Sequence, residues 1–137
     1  MTTVGRLNSA QATQSGSFSR VSPGRSEEAI QDFDKAIEIY QRTVALLKKD
    51  KKLDEAANWN PSLALAYNNR GSAYYQLGRI ERAIEDYDRS IQLSPRSGEF
   101  YVNRAQAYAL LNKDAEARQD YDLAVKLGFV TQSLNQD

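Results

Sequence analysis

The chain has 137 residues, 41% hydrophobic and 26% charged, which suits one small soluble domain. Its 18 basic and 18 acidic side chains balance, so no net charge draws it to nucleic acid or to an acidic membrane surface. With neither Cys nor His, the chain lacks disulfides, thiolate nucleophiles, Cys–zinc sites and the commonest general base, and no apolar run is long enough to span a bilayer.

Residues 1–25 are rich in Ser, Thr, Gln and Gly, and their apolar members Val4, Leu7, Phe18 and Val21 follow no period. Such a composition cannot bury enough surface to offset ordering entropy, so a disordered leader is expected. Arg6, Arg20 and Arg25 with no acid before Glu27 resemble an organelle transit peptide. No amphipathic Arg-bearing helix is visible, however, and no apolar stretch marks a secretory signal. A cytoplasmic location is the expectation, with an organelle as the alternative if the leader is a transit peptide.

Residues 26–60 read as a long helix plus a linker, or as part of a repeat. Ser26 is placed to cap, with Glu27 and Glu28 at the positive helix end. Ala29, Ile30, Phe33, Ala36, Ile37, Tyr40, Val44 and Leu47 follow at helical spacing, which predicts a helix to about Lys49. Lys48, Lys49, Lys51 and Lys52 are expected to be a solvated helix end rather than a phosphate site. A short helix is predicted over residues 53–59, with Trp59 as a packing plug beneath the linker. Asn60-Pro61 reads as a cap and first helical residue.

Residues 61–131 read as two repeats, because the stretch from Tyr67 to Pro95 matches the chain 34 positions downstream. Tyr67, Asn69, Arg70, Ala73, Tyr74 and Leu77 meet Tyr101, Asn103, Arg104, Ala107, Tyr108 and Leu111. Ala83, Asp86, Tyr87, Asp88 and Leu93 meet Ala117, Asp120, Tyr121, Asp122 and Leu127. Tyr67, Gly71 and Tyr74 share one helix face, and Ala83, Tyr87 and Ser90 share another. Rings alternate with small residues, so the ring of one helix can fill the gap opposite a small residue of the next. Gly78 and Asn112 stand where the chain must reverse, and Pro95 stops the second helix. The start of the long helix matches the second helix of this unit: Ala29, Ile30, Asp32, Phe33 and Asp34 meet Ala83, Ile84, Asp86, Tyr87 and Asp88. Gly128 ends the last helix, no closing helix is evident after it, and residues 132–137 are a polar tail.

The pattern resembles the tetratricopeptide repeat. The family's large residue, small residue and ring of the first helix are Tyr67, Gly71 and Tyr74, then Tyr101, Ala105 and Tyr108 in the second copy. Those of the second helix are Ala83, Tyr87, Ser90 and the closing Pro95, then Ala117, Tyr121 and Ala124, with Phe129 where Pro would stand. The long first helix is similar to the kinesin-light-chain-like branch. The resemblance implies an all-α protein, an α-α superhelix of two full repeats after one long helix. It also implies a protein-interaction scaffold, with a peptide or protein partner on a concave face lined by first helices. That face would carry Leu65, Asn68, Asn69, Ser72, Tyr75 and Gln76 beside Glu99, Val102, Asn103, Gln106, Ala109 and Leu110. Its amides suit an extended peptide backbone. Some family members grip acidic chaperone tails with a clamp of Lys, Asn and Arg. Asn69 matches the clamp Asn, but Glu99 stands where Lys is needed and Asn103 where Arg is, which disfavours a carboxylate ligand.

The Asp-x-Asp pairs Asp32/Asp34, Asp86/Asp88 and Asp120/Asp122 recur at one repeat position. They therefore read as scaffold rather than metal ligands, with Lys35, Arg82 and Arg89 as local charge partners. There is no phosphate loop, nucleophile elbow or activated nucleophile, so no enzyme, cofactor or metal is expected. Two repeats are fewer than the usual three for a stable stack. The alternative function is therefore a self-assembly module, a homo-oligomer through the long or the last helix.

Overall fold

A computed structural model describes residues 23–129, so residues 1–22 of the expected leader and the whole expected tail lie outside the described residues. Six helices follow in order: α1 Pro23–Lys49, α2 Leu53–Ala57, α3 Asn60–Gln76, α4 Ile80–Leu93, α5 Gly98–Leu110 and α6 Asp114–Lys126. The helix pairs α3/α4 and α5/α6 stack in series, with α1 packed on α3 ahead of them. No strand occurs among the described residues, and none of their helices is long and apolar enough to cross a membrane.

Four helix ends close in one way. Lys51, Gly78, Asn112 and Gly128 have φ of 62°, 80°, 61° and 91°. In each, the next amide reaches back five residues: Lys52 to Leu47 (2.8 Å), Arg79 to Tyr74, Lys113 to Tyr108 and Phe129 to Ala124 (2.9 Å each). This left-handed close satisfies carbonyls that a helix end leaves open. The reversals at Gly78 and Asn112 are as expected, and α1 runs to Lys49 as its periodicity predicts.

Two helix starts differ from expectation. α1 begins at Pro23, not Ser26; Ser26 is 2% exposed and its Oγ donates to Gln76 Oε1 at 3.4 Å instead of capping. α3 begins with Asn60 already helical, because Asn58 and Trp59 have right-handed helical angles and Leu63 donates to the Trp59 carbonyl. The chain thus coils from α2 straight into α3, leaving no extended residue for a side-chain cap. Trp59 packs at 5.5 Å, ring centre to ring centre, from Tyr40 of α1.

The core lies where rings meet small residues. Tyr67, Tyr74, Tyr87 and Tyr101 are buried beside Ala64, Ala83, Ala105 and Ala124. A Cβ at Gly71 would sit 2.9 Å from a Tyr87 ring carbon and 3.1 Å from the Ala83 carbonyl oxygen, so α3 and α4 approach as closely as glycine allows. Ser90 serves the same contact with a hydroxyl that donates to Ala64 O at 2.7 Å. Phe129 covers part of α6: it packs on the Tyr101–Val102–Ala124 cluster and occupies the space over Gly98.

Candidate functional site: the first-helix wall and its arginine clasps

The repeats are locked by two arginines. Arg70 on α3 sends Nε and Nη2 to the two carboxylate oxygens of Asp86 on α4, both at 2.8 Å. Its Nη1 donates to Asp34 on α1, also at 2.8 Å. Arg104 on α5 holds Asp120 on α6 at 2.8 Å twice and Asp88 on α4 at 2.9 Å. Each guanidinium also lies against two rings: Tyr67 and Tyr74 at 5.5 and 5.9 Å, or Tyr101 and Tyr108 at 5.7 Å each. Hydrogen bonding to Asp86 and to Asp120 is the main influence, and it holds both guanidiniums above their ordinary pKa against the opposing effect of burial.

These clasps correct the expected charge partners of the Asp-x-Asp pairs. Asp86 and Asp120, each the first of its pair, bind the arginine of their own repeat, and Asp34 and Asp88, each the second, bind that of the next. Arg82 instead stacks 4.9 Å over the Tyr74 ring and donates to its hydroxyl at 3.0 Å. Arg89 lies 5.5 Å over Tyr67 and donates to its hydroxyl at 3.4 Å, and Lys35 is exposed. A signal for the true pairs was present: Arg70–Asp86 and Arg104–Asp120 are both 16 residues apart. Among the described residues, no group of three or more acidic side chains is placed to hold a metal ion.

The clasps set α3 beside α5. On this wall Gln76, Glu99, Gln106 and Leu110 are exposed, and Asn69, Ser72, Tyr75 and Asn103 are partly exposed. Leu65 and Leu110 leave 49% and 57% of their surface in solvent. Two expected members are elsewhere. Asn68, 2% exposed, accepts from Asn103 Nδ2 at 2.9 Å, so its amide ties the two helices together. Val102, 6% exposed, belongs to the core under α5. The open strip is therefore narrower than the expected one. Ser72 Oγ lies 3.1 Å from the Tyr87 hydroxyl, whose pKa burial pushes up to about 12 although this bond opposes the rise. Burial likewise raises Tyr108 and Tyr121.

Known structures resemble this one. The second TPR domain of Spaghetti (RPAP3), bound to the HSP90 peptide SRMEEVD, is 25% identical; the match covers 75% of this chain and 95% of that one, with a TM-score of 0.47. MamA from Desulfovibrio magneticus RS-1 is 20% identical, with 83% and 70% covered and a TM-score of 0.46. Models of the tetratricopeptide repeat match residues 64–97 in one version and residues 23–43 and 98–127 in another. These three matches fall on α3 with α4, on the first part of α1, and on α5 with α6, the units that the two clasps join. The chain belongs to the tetratricopeptide repeat family.

Proposed function

We propose that this protein-interaction scaffold holds a peptide or a surface element of another protein along the α3/α5 wall. The observation that carries the reading is the row of uncommitted polar groups there, Asn69, Gln106 and Glu99, with the Tyr87-bonded Ser72 among them, beside exposed Leu65 and Leu110. Amides and a hydroxyl can pair with main-chain groups of a ligand, and the leucines can bury its apolar side chains. The family is generally one of interaction folds and not of enzymes, and the proposal assigns no chemistry to the chain.

The ligand's charge follows from Glu99. A terminal carboxylate placed near it would be repelled, and Asn103, which donates to Asn68, offers no guanidinium in compensation. Neutral peptides or folded surfaces are the expected ligands. Isothermal titration tests this: a peptide ending Glu-Glu-Val-Asp should show no micromolar affinity, and salt-sensitive micromolar binding would overturn the reading. A second reading, self-association through α1, is favoured by Ile39 and Leu46, which are 61% and 63% exposed. Sedimentation should then show a concentration-dependent dimer, and a monomer at about millimolar concentration would remove it.

A further inference from the structure

Helix α1 is a second helix whose own first helix is missing among the described residues. Ala29, Asp32, Phe33 and Ala36 stand where α4 has Ala83, Asp86, Tyr87 and Ser90. In α4 this face is sealed by α3, with exposures of 0%, 3%, 2% and 0%. In α1 the three apolar residues are partly open, and Asp32 is exposed with no cation partner among the described residues. Between this face and α3 runs a groove of about 270 Å³, floored by Ala29, Phe33 and Ser72. It continues along Ala36 and Tyr40 past Leu65. Asn69 borders both parts, whereas its counterpart Asn103 is bonded to the preceding first helix through Asn68.

We propose that this groove seats one helix of a partner protein, a helix carrying an arginine followed by a small residue, with tyrosines three before and four after. This rests on the interaction-scaffold reading but places a helical ligand between α1 and the α3 edge of the wall, at Leu65, Asn69 and Ser72, rather than a peptide across α3 and α5. The chain shows the chemistry twice. Arg70-Gly71 between Tyr67 and Tyr74, and Arg104-Ala105 between Tyr101 and Tyr108, fill the equivalent seats on α4 and α6. The arginine answers Asp32 as Arg70 answers Asp86, and the small residue lets the backbone approach Phe33 as Gly71 approaches Tyr87. Other occupants fit less well. In residues 1–22 the arginines precede Leu7 and Val21, neither of them small. In a second copy, the two matching helices are already sealed inside its own stack.

The probe is a fluorescent peptide with the sequence of residues 60–79, titrated into the full chain by anisotropy. Micromolar binding is expected, and Asp32→Asn should weaken it about tenfold, which is about 1.4 kcal/mol. Arg70→Lys in the peptide should weaken it similarly, and the two changes together should cost less than their sum because they remove one pair. Gln106→Glu on the α3/α5 wall should leave binding unchanged. If Gln106→Glu abolishes binding while Asp32→Asn does not, the peptide lies on the wall; the seat is then wrong and the scaffold reading stands. No binding at about 1 mM overturns the proposal. So does binding that appears only after residues 1–22 are removed, which gives the seat to that segment. A chain that dimerises at micromolar concentration and loses the dimer on Ala36→Glu gives it to a second copy, with the same consequence.

Discussion

Replacing Gly71 by Leu should destabilise the protein strongly, and the local geometry sets the size of the effect. One added carbon already meets a Tyr87 ring carbon at 2.9 Å and the Ala83 carbonyl and Asp86 Cβ at 3.1 Å. The carbonyl belongs to a helix and cannot yield, and the Tyr87 ring is 2% exposed, so it has nowhere to turn. Forced insertion into such a contact costs about 1–3 kcal/mol, and leucine's three further carbons put it at the upper end. Replacing a mid-helix glycine returns about 0.8–1 kcal/mol of helix propensity. The balance is a loss of about 2 kcal/mol for Leu, and of about 1 kcal/mol for Ala. At about 4 °C per kcal/mol for a chain of this length, Gly71→Leu should lower the melting temperature by roughly 8 °C. Thermal and urea melts followed by circular dichroism measure it. A Gly71→Leu midpoint equal to that of the native protein, or a Gly71→Ala protein more stable than native, would refute the close α3/α4 contact.

Three further outcomes follow from the same geometry. At the matching position of the next pair, Ala105→Gly should also destabilise, by about 1–2 kcal/mol, since it loses a fully buried methyl and adds a flexible residue; an unchanged urea midpoint would contradict this. Arg70→Ala should cost about 3–5 kcal/mol because it strands the buried Asp86, whereas Asp34→Ala, whose side chain is 51% exposed, should cost under about 1 kcal/mol; equal losses in urea melts would show that the clasp is not organised around Asp86. The Tyr87 pKa is raised in the folded state, so its contribution is whole below pH 10 and is lost as pH rises towards about 12; stability should fall through that window by about 2–3 kcal/mol more in the native protein than in Tyr87→Phe, and parallel pH profiles would disprove the assignment.

The packing positions were legible because they depend on short spacings repeated twice. The meeting of Gly71 with Tyr87 and the left-handed turns at Gly78 and Asn112 follow from which residues can occupy such places. The left-handed turn at Lys51 carried no such signal, since nothing in lysine marks it. The clasps were missed because local reasoning weighs partners three or four residues away, while a bidentate guanidinium reaches across helices. Ser26 and Asn60 were misplaced as caps because a capping residue type does not fix where a helix begins. Ser26 is buried near Gln76, and Asn60 continues a coil begun at α2. The wall was legible in its helices but not in its width: whether Asn68 faces a ligand or the neighbouring helix depends on how α5 settles against α3, and Asn103 fixes it towards α5.

The α3/α5 wall is tested most directly by titrating a partner captured with the intact chain against two variants of equal fold. In one, Gln106→Glu and Leu110→Glu alter the wall; in the other, Glu81→Lys and Glu85→Lys alter exposed positions on α4. The wall variant should lose at least about tenfold in affinity, or about 1.4 kcal/mol, while the α4 variant binds as the native chain does. Equal affinity for the native chain and the wall variant, with a loss confined to the α4 variant, would contradict the assignment.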